Sequence, residues 1–155
     1  MSESEVKLSW ARADADFDYK TYDRTHFLDF SGGVRVLASA SPGYYGDGRL
    51  LNPEQGLIGA MSSCFMLTFL AIASLKGLVV DTYTDEADGE LDRNEDNRNY
   101  VSRIVLRPRT GFAEGKGPES GEALMELYRK AHRSCFIANS VVTRVDIEPR
   151  DPGIA

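Results

Sequence analysis

Cysteine is almost missing from this chain. Cys64 and Cys135 are the only two among 155 residues, which excludes the disulfide framework of a small secreted domain. Histidine is equally scarce, with only His26 and His132. A zinc centre drawing on both residue types has a single pair at the usual spacing, His132-x-x-Cys135, and Cys64 has no near partner in sequence, so a metal site ranks below other uses of the sulfurs. Positive charge is in deficit, 18 lysines and arginines against 24 aspartates and glutamates, and the basic residues are scattered. No basic stripe exists to follow a phosphate backbone, which argues against a nucleic-acid partner. There is no Gly-x-Ser-x-Gly, and the glycine-rich residues 43–48 hold no lysine and run into Arg49-Leu50-Leu51, so neither a hydrolase elbow nor a phosphate-binding loop is present. Residues 1–7 are polar and acidic and lack the basic-then-apolar pattern of a secretory signal. The expected compartment is the cytoplasm, where thiols stay reduced and a bond between two cysteines is transient.

What the chain does have is enough apolar sequence for one core, without a shift in composition, and we read a single domain over 1–155. Residues 57–75 are nearly free of charge. Ser62, Ser63, Cys64, Thr68 and Ser74 interrupt that run, so it reads as the buried central helix of a globular domain rather than a membrane span. Asn52-Pro53-Glu54-Gln55 is its start: Asn52 caps, Pro53 loses nothing at the first helical position, and Gln55 sits where a capping-box partner belongs. Lys76 and Gly77 mark its stop.

Upstream, alternation predicts a meander: Val6, Leu8 and Trp10; His26, Leu28 and Phe30; then Val34, Val36, Ala38 and Ala40, with Ser31-Gly32-Gly33 as the turn between the last two. The loop over residues 42–48 carries Tyr44 and Tyr45, which cover the meander or wall a pocket. Downstream, residues 78–91 and 100–107 read as two strands of a hairpin joined by 92–99, and residues 110–117 as loop. A second helix begins near Ser120 with Leu124, Leu127, Tyr128 and Ala131 on one stripe that Cys135 continues. Val141, Thr143, Val145 and Ile147 form a last strand, ended by Pro149, with Pro152 and Gly153 in a frayed tail. The class is α+β, antiparallel sheets packed around a long buried helix.

Cys64 shares a helix face with Leu57, Ala60, Met61, Leu67 and Leu75, and two uses of it stand side by side. It is a small buried hydrophobe, the usual fate of a free cysteine, or it is a nucleophile. The second use needs a thiolate. Apolar burial pushes a thiol the wrong way, and the helix dipole fades within the first turn, so a reactive Cys64 calls for a nearby cation.

Asn52-Pro53-Glu54-Gln55, Ser62-Ser63-Cys64-Phe65 and Ala131-His132-Arg133-Ser134-Cys135, in that order, resemble the OsmC/Ohr family of peroxidases. The resemblance covers the order of strands and helices along nearly the whole chain. It implies an intertwined homodimer that reduces organic hydroperoxides without cofactor or metal. Cys64 is then the peroxidatic cysteine, and Cys135 resolves its sulfenic acid to a disulfide that an external dithiol reduces, a lipoylated protein being one such reductant in the family. Arg24 is implied as the cation beside the thiolate, ahead of Arg12 and Arg35, and Glu54 as the carboxylate that holds it. Phe136 stands where the family usually has proline. Phe65, Met66 and Phe136 could line an apolar pocket that favours organic over hydrogen peroxide.

About ten helical residues separate Glu54 from Cys64, roughly 15 Å along a straight axis. Either Glu54 serves the Cys64 of a partner chain, or the chain folds back before the helix begins. Two rivals to the enzyme remain: an OsmC-like dimer that holds a small apolar ligand without turnover, and a metal-binding protein using both cysteines and a histidine.

Overall fold

A computed structural model describes residues 4–12, 15 and 17–151; Met1 to Glu3, Pro152 and Gly153 lie outside them. The chain divides into two compact units at the Gly56–Leu57 bond.

In the first unit, β1 (Val6–Ser9), β2 (His26–Phe30) and β3 (Arg35–Ala38) form the expected antiparallel meander. Its register places Leu8 opposite Leu28 and Leu28 opposite Val36. Gly32 and Gly33 both adopt positive φ, as the tight turn between β2 and β3 requires. A short 3-10 turn, Pro42–Tyr44, follows. Gly46 then passes so close to Ala40 that a Cβ there would lie 1.7 Å from the Ala40 carbonyl oxygen; only glycine fits this loop.

Helix α1 spans Pro53–Leu75. Its start is the expected capping box: the Gln55 N–H donates to Asn52 Oδ1 at 2.9 Å, and the Asn52 N–H donates to Gln55 Oε1 at 3.2 Å. Its end closes through Gly77 at φ 75°, with the Leu78 N–H returning to the Ala73 carbonyl at 3.0 Å. The buried face is Met61, Phe65, Phe69 and Ala73, which shares only Met61 with the expected face; Leu57 and Cys64 are partly buried beside it, while Leu67 is 60% exposed and Leu75 88%. Because α1 is apolar nearly all round, periodicity could not select which stripe faces the core. By length and composition alone the helix could cross a membrane, but the Met61-to-Ala73 stripe is in the protein core.

The second unit adds β4 (Val80–Asp85), β5 (Asp88–Arg93), β6 (Asn99–Leu106), β7 (Pro108–Phe112), α2 (Gly121–Ser134) and β8 (Arg144–Ile147). β5 and β6 make the expected hairpin. The segment before β5 is a separate strand, β4, that pairs antiparallel with β7 in a sheet of its own. The break comes where Asp85 accepts hydrogen bonds from the Ser62 hydroxyl at 2.5 Å and the Arg107 N–H at 2.6 Å. Residues 110–112, expected as loop, are therefore strand; Gly111 permits it, since a Cβ there would meet Thr82 Oγ1 at 2.4 Å. Among the described strands of this unit, β6 and β8 run parallel and the other pairs antiparallel.

The core of this unit is the α1 stripe packed with Ile104 and Leu106 of β6 and with Leu124, Leu127, Tyr128 and Ala131 of α2. All four α2 residues were legible from their spacing, as was the start near Ser120, which proves to be the cap, its hydroxyl accepting from the Ala123 N–H at 3.1 Å. The tail is not frayed as far as Asp151, which is buried: its carboxylate accepts from the Thr110 N–H at 2.6 Å and from the Tyr128 hydroxyl at 2.8 Å. Burial and this acceptor hold the Tyr128 phenol well above its ordinary pKa.

Candidate active site

Cys135 ends α2 as its C-cap, with its N–H on the His132 carbonyl at 3.2 Å and its side chain fully buried. Beyond it the chain turns sharply. The Asn139 N–H returns to the Cys135 carbonyl at 3.1 Å, the Ser140 N–H to the Ile137 carbonyl at 3.0 Å and the Ser140 hydroxyl to the Phe136 carbonyl at 2.7 Å. Asn139 Nδ2 also donates to the Arg133 carbonyl at 3.1 Å. These bonds fix the turn that follows α2.

Cys64 lies half-buried on α1, packed against the core that contains Cys135. Partial burial pushes its thiol up, but the Ile137 N–H, the Cys135 thiol and the Phe136 N–H together hold it below its ordinary value. Thr68 sits one helical turn on, its hydroxyl donating to the Cys64 carbonyl at 2.8 Å. Cys135 goes the other way. Burial, then its hydrogen bond to Cys64 and the charge there, push its thiol up, against the opposing Ala138 and Ile137 amides. The two free cysteines thus form an asymmetric pair, the Cys64 thiol held below its ordinary value and the Cys135 thiol above its own.

Arg24 and Glu54 belong to the first unit. Arg24 donates to the carbonyls of Tyr22, at 2.8 Å, and Tyr19. Its guanidinium lies 3.8 Å from the centre of the Tyr22 ring and 5.6 Å from those of Tyr19 and Tyr45. It borders an open groove of about 540 Å³ with Leu8, Trp10, Phe17 and Tyr44 on its walls. Of the two uses left open for the loop tyrosines, Tyr44 takes the pocket wall. Glu54 Oε2 is buried with no hydrogen-bond partner, and among the described residues no bond joins Glu54 to Arg24. Helix α1 runs unbroken from Pro53, so the chain does not fold back to bring Glu54 to the Cys64 of its own helix. No group of three or more metal-capable side chains forms among the described residues.

The sequence pattern of OsmC-like proteins matches residues 46–150, most of the chain and both cysteines. The chain belongs to the OsmC-like family. An OsmC-like protein of unknown function from Vibrio cholerae is 38% identical, with a TM-score of 0.88 over 96% of this chain and 99% of that one. The organic hydroperoxide resistance protein OsmC of Legionella pneumophila shares the fold at 16% identity, with a TM-score of 0.70 over 97% of each chain. An uncharacterized Bacillus subtilis protein, YmaD, is 24% identical over 118 residues, 76% of this chain and 78% of its own.

In this OsmC-like chain the groups of the second unit that lower the Cys64 thiol are uncharged, the Ile137 and Phe136 N–H groups and the Cys135 thiol. Sequence reasoning weighed only side-chain charge and so missed them. The signal available was the turn itself, a cysteine at a helix end followed by a chain reversal whose amides must point somewhere.

Proposed function

We propose that this OsmC-like protein is a thiol-dependent peroxidase that reduces organic hydroperoxides to alcohols through Cys64 and Cys135. The observation that carries the reading is the pair itself, two free cysteines brought to one core cluster, with the Cys64 thiol held below its ordinary value and the Cys135 thiol above its own. The Cys64 thiolate attacks the terminal peroxide oxygen; an S–O bond forms, the O–O bond breaks, and the alkoxide takes a proton and leaves as alcohol. Once the thiolate is consumed, the charge that held Cys135 protonated is gone. Cys135 then attacks the sulfenic sulfur, an S–S bond forms, and hydroxide leaves with the Cys135 proton as water. An external dithiol, with a lipoylated protein as one candidate, returns two electrons and two protons.

The named function of the Legionella relative supports the same chemistry. The reading extends to a cytoplasmic homodimer, without membrane or nucleic-acid partners, in which Arg24 and Glu54 serve the Cys64 of the partner chain. The unpaired Glu54 oxygen and the unbroken α1 both favour that arrangement. The aromatic groove of the first unit supports a second reading, a non-catalytic holder of a small apolar ligand.

One equivalent of cumene hydroperoxide added to the reduced protein separates the two. A peroxidase loses two hydrogens from its intact mass and shows a Cys64–Cys135 peptide; an unchanged mass leaves only the binding role.

A further inference from the structure

The groove of the first unit is lined by residues that, Pro53 apart, precede the stretch 46–150 matched by the family pattern. Its apolar wall is a cluster of rings. Phe17 packs 5.1 Å from Tyr22 and 5.9 Å from Trp10, and Trp10 meets Tyr22 edge-on at 6.3 Å. The indole N–H is already given to the Asp23 carbonyl at 2.8 Å, so Trp10 presents only ring surface to the groove. At about 540 Å³ the space suits a small organic molecule.

The polar groups of the lining have hydrogens to give. Arg24 donates to the Tyr22 and Tyr19 carbonyls and lies 3.8 Å from the centre of the Tyr22 ring; among the described residues it pairs with no carboxylate, which leaves most of its donors free. Ser39, 1% exposed, accepts the Asp47 N–H at 3.2 Å through its hydroxyl oxygen and keeps its own proton to donate. His26 Nδ1 lies 2.9 Å from the Arg24 carbonyl, and since a carbonyl only accepts, Nδ1 carries the proton and Nε2 is left over. No aspartate or glutamate is among the described residues of the lining, in a chain of net charge −6. A cationic guest is disfavoured by Arg24, which already holds the Tyr22 face. A wholly apolar guest would cover the Ser39 proton and the guanidinium without offering either an acceptor.

We propose that the groove is a binding site for an organic monocarboxylate, its apolar or aromatic body against Trp10, Phe17 and Tyr22 and its carboxylate on Arg24. This rests on the binding role of the groove and on no chemistry at Cys64.

Trp10 is the only tryptophan, so the single indole N–H resonance of the protein reports on the groove. 4-Isopropylbenzoate and 4-isopropylbenzamide share a body and differ in charge. With the reduced full chain at neutral pH, we expect the benzoate to bind about tenfold more tightly than the benzamide by calorimetry and to shift the indole resonance. Arg24→Gln should bring the benzoate down to the affinity of the benzamide and leave the benzamide unchanged, and Arg24→Lys should keep part of the preference. Equal affinities in the wild type overturn the proposal and leave a groove for uncharged guests. Binding of neither compound overturns it together with the binding role. Tight benzoate binding with an unmoved indole resonance places the acid elsewhere, and a preference kept in full by Arg24→Gln removes Arg24 from it; either result overturns the proposal.

Arg24 also holds the carbonyls of Tyr19 and Tyr22, so Arg24→Gln could disturb the groove and lose the benzamide as well. A second measurement therefore needs no variant. In the wild type, added salt should weaken the benzoate and leave the benzamide as it was, because only the charged contact is screened. Affinities that respond alike to salt overturn the proposal whether or not the variants fold. Neither experiment contains peroxide. A protein that passes both and forms no disulfide with cumene hydroperoxide would defeat the peroxidase reading and leave the carboxylate site standing.

Discussion

At Cys64 the donors of the turn after α2 outweigh the cost of partial burial, whereas at Cys135 burial and the neighbouring thiolate act together, so one short segment sustains two thiols of opposite character. The sign of the first shift sets a pH profile. A thiol held below its ordinary value stays ionised to lower pH, so the peroxide step should remain fast well below the pH at which a free cysteine fades. Its midpoint should lie on the acid side of an ordinary cysteine's. Stopped-flow measurement with limiting hydroperoxide tests this, and a decline that tracks an ordinary free thiol would contradict it. Cys64→Ser should be inert, while Cys135→Ser should consume one equivalent and stop as a sulfenic acid that dimedone traps.

Among the elements, α1 was the most legible at its ends and the least legible around its circumference. Asn52, Gln55 and Gly77 announce the caps because capping chemistry is local, and the bonds form as read. Asn52→Ala should cost about 1 kcal/mol in urea unfolding. The buried stripe could not be read, because a helix apolar on every side gives no phase to its period. α2, amphipathic, gave its core residues directly. β4 and β7 were misjudged for a third reason: their partners lie far apart in sequence, and Pro108, Arg109 and Gly111 do not alternate. The same limit applied to the site. The two cysteines were singled out through family resemblance, but the peptide N–H groups that lower the Cys64 thiol are carried by every residue, and side-chain identity cannot reveal them.

For the whole molecule, the second unit is closed by a buried polar lock. Tyr128 has one hydroxyl proton, which goes to Asp151, so the Thr110 hydroxyl donates to the Tyr128 oxygen at 2.7 Å. Tyr128→Phe leaves a buried Asp151 oxygen without its donor and should destabilise the protein by about 1–3 kcal/mol, measured by thermal or urea unfolding. The first unit exposes Val6, Leu8, Phe27, Phe30 and Leu37, an apolar load consistent with the proposed second copy. Mixing Glu54→Ala chains with Cys64→Ser chains should restore part of the peroxidase activity if active sites are shared across the dimer; two inactive parents that stay inactive when mixed would count against sharing.

The parallel pairing of β6 with β8 has one more consequence. Parallel neighbours require a long crossover, and here the crossover carries β7, α2 and Cys135, so forming the sheet is what delivers the second sulfur to α1. A Cys64–Cys135 bond would tie that crossover to the helix and close a loop of roughly 70 residues, restricting the denatured chain by about 4 kcal/mol in the loop-entropy account. The redox state would then be written into the melting curve. The oxidised protein should unfold several degrees above the reduced one, and a calorimeter could follow turnover with no chromophore at all.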